Sequence, residues 1–322
     1  MMHMEVTMIQ EIFYWTLNMS IVATLIGMLL YWLRFIKGFP KFGNYFLWGV
    51  VLIRLVCPIG ISSSYSLLNL ISKVAEKTYI KSVILDTAAG HSKVLPEFTA
   101  SNTIQAAAEY NPLTYKSNLL EGFFEVAAVI WIIVAIAAMI AMVTMYLLTK
   151  SELEKATLLQ DNIYEGTMVN TPTVYGIIKP KIVLPIGVDK EHLNFILAHE
   201  NVHIKRHDNI WRMIAILVAC FHWFNPMIWL FLKSFMGDCE LACDEKAVRK
   251  MNVEERKNYA LTLLSYGTMD KTVFASAFGS SKVKVRIKSV LSYKKLTLFS
   301  TICFVGMMIA ITFILLTNAS VK

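Results

Sequence analysis

Apolar residues in this chain do not keep one period from end to end. They collect in four blocks, 12–33, 45–62, 122–148 and 296–317, each close to the roughly 20 residues a helix needs to cross a hydrocarbon core. Each block predicts a transmembrane helix. A fifth block, 209–235, is nearly as apolar and carries Trp211, Phe221, Trp223, Phe224, Trp229 and Phe231, but Asn225-Pro226 interrupts it with a pair that favours a turn. Between the blocks the pattern changes. Residues 171–185, Thr-Pro-Thr-Val-Tyr-Gly-Ile-Ile-Lys-Pro-Lys-Ile-Val-Leu-Pro, are rich in β-branched positions and punctuated by Gly176, Pro180 and Pro185. They predict two short strands joined by a turn, with the prolines favouring an exposed sheet edge that can accept an extended peptide. In 191–208, Leu193, Ile196 and Leu197 recur at helical spacing. A further helix is expected over 253–269, capped by Asn252 with Glu254 and Glu255 in its first turn. The run Lys-Val-Lys-Val-Arg-Ile-Lys at 282–288 alternates, and reads as a cationic juxtamembrane segment drawn to anionic lipid.

Composition agrees with the membrane reading. The chain is 56% hydrophobic and 17% charged with mean hydropathy +0.53, too apolar for an ordinary soluble protein of 322 residues. Its net charge of +8 is a topology signal rather than evidence for nucleic acid, because the cations flank the apolar blocks. Arg34, Lys37 and Lys41 follow the first block with no acid among them, which puts that connection in the cytoplasm and the N-terminus outside. By alternation 63–121 is external, 149–295 cytoplasmic, and the tail 318–322 external. Residues 149–296 hold 21 Lys/Arg against 15 Asp/Glu, the excess expected of a cytoplasmic face. The first block has no basic leader and no small-residue cleavage site, so it is read as a retained span. Five scattered cysteines imply no disulfide framework. Arg54, within the second block, is costly in lipid and should face another helix, bonding helix ends inside the bundle.

The chemistry lies in 199–203, His-Glu-Asn-Val-His. On a helix, His199 and His203 share a face one turn apart and can hold one Zn²⁺, with Glu200 beside them as general base for a water of lowered pKa. A third ligand leaves the fourth position open. His207 falls one more step along, but an uninterrupted helix carries it past the metal, so it is assigned to the surroundings of the site or the surface. Glu240 and Asp244 share one face of a later helix. A carboxylate there can complete a His₂-carboxylate set while a neighbouring one orients a histidine. One zinc cannot be shared across a bilayer, so 209–235 must turn back as a helical hairpin dipping into or packing on the membrane. The segment 270–295 reads as a linker, tethered near the site, that can itself be cut.

These motifs together resemble the BlaR/MecR-type integral-membrane zinc peptidases of bacteria, the transducers of β-lactam sensing. The resemblance rests on Arg54-Leu-Val-Cys-Pro58, Gly176-Ile-Ile-Lys-Pro-Lys-Ile-Val-Leu-Pro185, His199-Glu-Asn-Val-His-Ile-Lys-Arg-His-Asp208, His222-Trp-Phe-Asn-Pro226 and Glu240-Leu-Ala-Cys-Asp244. It implies a mainly α membrane protein of the bacterial cytoplasmic membrane. Spans 1 and 2 would lie in 1–62, span 3 at 122–148 and span 4 at 296–317, around a gluzincin-like α+β zinc peptidase domain at 149–295. It also implies one Zn²⁺ per chain held by His199, His203 and Glu240, with Glu200 as base; Asp244, Asp208 and His207 are read from the sequence as surrounding the ligands. Signalling would proceed by self-cleavage in the linker, around Ala275, Ser276, Ala277, Phe278 and Gly279, and by cleavage of a winged-helix transcriptional repressor. The lipid bilayer and a second copy of the chain, as a homodimer, complete the expected partners; direct nucleic-acid binding is not expected. The transducers carry a penicillin-binding sensor after the last span, whereas this sequence stops at Lys322 and 63–121 holds no Ser-x-x-Lys, so β-lactam binding is not expected of these residues. Two other readings remain: a processing or quality-control protease of membrane proteins, and an adaptor with a structural zinc, against which the intact Glu200 argues.

Overall fold

A computed structural model describes residues 2–36, 39–57, 61–67, 118–167, 169–267 and 282–319. Its helices are α1 Met2–Leu33, α2 Lys41–Val56, α3 Asn118–Leu153, α4 Lys190–Arg206, α5 Asp208–Phe221, α6 Pro226–Ala247, α7 Val253–Gly267, α8 Lys282–Leu291 and α9 Leu298–Leu316. Among the described residues three helical stretches are long and apolar enough to cross a membrane: Met8–Leu33, Phe123–Leu153 and Leu298–Leu316. α3 and α9 leave most of their apolar side chains uncovered, including Ile130, Ile133, Ile140, Ile302 and Ile309, as helices facing lipid do.

The second expected span, 45–62, forms the 16-residue α2, about 24 Å long at 1.5 Å per residue. It stops at Val56 because Cys57 takes an extended conformation ahead of Pro58. α2 runs beside α9. Near its start a side chain at Gly43 would strike Phe304, and near its end Arg54 donates to the carbonyls of Leu315 at 2.9 Å and Thr317 at 2.8 Å. Arg54 is thus fully buried against the C-terminal end of α9. There β1 (Ser62–Ser63) pairs in parallel with β6 (Asn318–Ala319), so α2 and α9 point the same way.

Block 209–235 folds back on itself. α5 and α6 meet at a turn where Asn225 caps α6, its Oδ1 accepting from Met227 N at 2.9 Å, and Pro226 occupies the first helical turn, where a missing N–H costs nothing. The Asn225 amide also donates to Ser20 Oγ at 2.8 Å and Thr24 Oγ1 at 2.7 Å, pinning the tip to the middle of α1. Val22, Ile26, Leu47, Trp48, Ala215 and Phe231 form the shared core of α1, α2, α5 and α6. Gly27 is required there, since any side chain would overlap the Phe231 ring.

A four-stranded sheet packs on α4. Its strands are β2 (Thr157–Gln160), β3 (Ile163–Gly166), β4 (Thr173–Tyr175) and β5 (Lys181–Pro185), in the order β2-β3-β5-β4. The proline-flanked strand β5 is interior, parallel to β3 and antiparallel to β4, rather than at an edge. Pro180 precedes it and Pro185 ends it, so neither proline removes a donor from its middle. Gly176 makes the β4–β5 turn at φ +99°, with Lys179 O only 2.8 Å from where a Cβ would stand. Ile182 and Leu184 of β5 pack on Ile196 of α4. Asn252 caps α7 reciprocally with Glu255, at 2.9 and 2.7 Å. The alternating basic run forms the helix α8, whose Val283 and Val290 are buried while Lys284 and Lys288 are exposed.

Candidate metal centre

α4 turns its apolar residues Leu193, Ile196 and Leu197 toward the sheet and buries His199, Glu200 and His203. The two Nε2 atoms lie 3.1 Å apart. Glu240 arrives from α6 with Oε2 at 3.4 Å from His199 Nε2 and Oε1 at 3.5 Å from His203 Nε2. A tetrahedral zinc with bonds of about 2.0–2.2 Å separates its donor atoms by about 3.3–3.5 Å, so these three residues fit the ion. Cys243 Sγ also lies within 4.8 Å of a ring nitrogen on each histidine, but it donates to the backbone carbonyl of His199 at 3.3 Å, which leaves Glu240 the better-placed third ligand.

The outer nitrogen of each ring is held. His203 Nδ1 meets Asp208 Oδ2 at 2.6 Å; His199 Nδ1 meets Tyr259 Oη at 2.8 Å and Asp244 Oδ1 at 3.1 Å, and Tyr259 itself donates to Asp244 at 2.7 Å. With Nδ1 facing a carboxylate, each ring turns its Nε2 toward the other and toward Glu240, the nitrogen a metal would take from the neutral ring. Arg286 of α8 forks onto Asp244 at 2.7 and 2.8 Å, reaches Glu240 Oε2 at 3.1 Å and lies 3.3 Å from His199 Nε2. Arg212 of α5 pairs with the other Glu240 oxygen.

The charges are mutually supporting. Burial pushes the Glu240 carboxyl up, but Arg286, His203 and Arg212 hold it well below the usual carboxylate range. Asp244 is likewise held down by Arg286 against its burial. Burial disfavours imidazolium, yet Cys243, Glu240 and Asp208 keep His203 raised well above its ordinary value; Cys243, Tyr259 and Asp244 do the same for His199. Glu200 is different. It is 7% exposed and has no ion pair or hydrogen bond from its carboxylate among the described residues.

α4 does not run on through His207. That residue takes a left-handed conformation, φ 55° and ψ 38°, ends α4 and starts α5, and its side chain is exposed. The break, not continuing helix, is what removes His207 from the centre and brings Asp208 under His203. Tyr259, Arg212 and Arg286 escaped the sequence reading. For Arg286 the signal was Val283, Arg286, Ile287 and Val290 at helical spacing, obscured by the alternating lysines. The expected cleavage region, Ala275 to Gly279, lies outside the described residues.

The His₂-carboxylate cluster sits on α4 and α6, in a chain whose α1, α3 and α9 contain stretches long and apolar enough to cross a membrane, the combination a membrane metallopeptidase would need. Residues 14–290 match the family described as BlaR1 peptidase M56, and the chain belongs to that family. It is similar to the methicillin resistance mecR1 protein of Staphylococcus aureus, 28% identical over 136 residues, and to the regulatory protein BlaR1 of Bacillus licheniformis, 26% identical over 136 residues. Each match covers 39% of this chain and 23% of the relative, so the chain spans about a quarter of those proteins' length.

Proposed function

We propose that this M56 member is a zinc endopeptidase with four membrane spans and a cytoplasmic centre, which relays an external signal by cutting itself and a winged-helix repressor. The observation that carries the catalytic part is the convergence of His199, His203 and Glu240 at 3.1–3.5 Å, with Glu200 buried next to His199 in the chain on α4. Zinc, which His199, His203 and Glu240 would hold, would supply Lewis acidity to a peptide carbonyl and to a water. Glu200 accepts the water's proton and delivers it to the leaving amine. Asp208 and the Tyr259–Asp244 pair keep the imidazoles aimed, while Arg286 and Arg212 keep Glu240 ionised.

Four spans are supported by α2 lying alongside α9 from Phe304 to Thr317, with its far end level with the end of a full-length span. Arg34, just past α1, pairs with Asp238 two residues before Glu240, so the cation-rich connection and the centre share a side. The positive-inside rule makes that side cytoplasmic. Self-cleavage is supported by the described residues on either side of the linker, since Tyr259 of α7 and Arg286 of α8 both reach His199. Regulation through a repressor draws on the regulatory name of the BlaR1 relative. Mass spectrometry of fragments from wild type and Glu200→Gln in membranes tests the reading. A cut within 268–281 present only in wild type supports it; identical fragments overturn it.

A further inference from the structure

Two buried hydrogen bonds tie the membrane helix α2 to the helices that carry the ligands. Tyr45 Oη donates to Asp208 Oδ1 at 2.9 Å, and the other oxygen of that carboxylate holds His203 Nδ1 at 2.6 Å. Nearly one turn along α2, Trp48 Nε1 donates to Asp238 Oδ2 at 2.8 Å, two residues before Glu240 on α6. Asp208 and Asp238 are both fully buried. Each donor is itself fixed by packing: Tyr45 stacks on Phe235 at 5.6 Å under the Arg206 guanidinium, and Trp48 lies against Phe231 at 5.5 Å.

Building on the zinc-peptidase reading, we infer that Tyr45 and Trp48 are positioning residues through which membrane helix α2 sets the placement of the metal ligands His203 and Glu240. Asp208 can hold His203 in one direction only while its second oxygen is anchored. Arg206, 3.2 Å from that oxygen, is the remaining anchor if the phenol is removed. Asp238 acts on α6 rather than on a ligand directly: its bonds to Trp48 and Arg34 fix the height and rotation of the turn that presents Glu240. One rigid helix thus holds a carboxylate on each side of the centre, and the separation of α4 from α6 follows the position of α2. At the opposite end of α2, Arg54 grips the last carbonyls of α9, so a displacement there is passed along α2 to both carboxylates.

The test uses the full chain in detergent, comparing wild type with Tyr45→Phe and Trp48→Phe, which keep the ring packing and remove one hydrogen bond each. Trp131→Phe is the control, because its indole donates to Phe221 O at 2.7 Å, away from the ligands. Zinc affinity by chelator competition and the visible spectrum of the cobalt-substituted protein are read beside thermal unfolding. Both α2 variants should weaken zinc by about tenfold or more and shift the cobalt bands, the range seen when partners of metal ligands are lost. Trp131→Phe should change neither, whatever its melting temperature. In an Asp208→Asn background, Tyr45→Phe should add no further loss of zinc. Wild-type affinity and cobalt spectra in both α2 variants, or additive losses with Asp208→Asn, would overturn the inference while leaving zinc binding intact. A wild type that binds no zinc would overturn the zinc reading, and this inference with it.

Discussion

His203 Nδ1 lies 2.6 Å from Asp208 Oδ2 across the left-handed break at His207. A continuous helix would place residue 207, not 208, one turn above His203. The break swings Asp208 beneath the ring and leaves Nε2 as the nitrogen that would face a metal. Asp208→Ala should therefore lower zinc affinity about 10–100-fold with helical content retained, measured by chelator competition and circular dichroism. Unchanged affinity would make Asp208 a bystander.

Protonation and metal compete for the same two rings. His199 and His203 are raised above the ordinary imidazole value, despite burial, by Cys243 first and then by Tyr259 and Asp244 for the one and Glu240 and Asp208 for the other. A raised folded-state value stabilises the metal-free protein at pH below the ordinary imidazole value. That contribution is lost as pH rises through the raised values. Zinc needs both rings neutral, so its affinity moves the opposite way and increases with pH. The gain in melting temperature on adding zinc should grow as pH is raised. A gain that shrinks with rising pH would contradict this arrangement.

Arg286 neutralises two carboxylates that the fold buries together, Asp244 and Glu240. Removing one partner of a buried pair leaves uncompensated charge, at a cost of about 3–5 kcal/mol. Arg286→Ala should lose that order of stability in denaturant unfolding of the full chain. Arg286→Lys should lose less, since it keeps the charge but not the fork. Asp244 is held below the usual carboxylate range, so the stability from this pair is present above the unfolded carboxylate value and falls away as acid protonates Asp244. The deficit of Arg286→Ala should shrink on the acid side.

The parts legible in the sequence were those written in short-range pattern. The His199–His203 spacing, the turn at Asn225-Pro226, the Asn252 cap and the β4–β5 turn at Gly176 each need only a few neighbouring residues. The 16-residue length of α2 was harder to read, because Pro58 ends a helix inside an apolar run that continues past it. What stayed hidden depends on contacts far apart in the chain. Tyr45 meets Asp208, Trp48 meets Asp238 and Arg286 meets Asp244 only once the helices have packed, and no local pattern marks a tyrosine or tryptophan in an apolar block as a partner for a buried carboxylate. The interior position of β5 was missed for a related reason: its partner β3 has too little alternation to announce itself.

The central claim is that Glu200, buried next to His199 on α4 and unpaired among the described residues, acts as the base of a zinc peptidase. Zinc content and cleavage should be measured together on purified wild type and Glu200→Gln in membranes. About one zinc per chain in both proteins, with chain cleavage in wild type alone, is the expected result. Equal cleavage by both proteins would contradict it.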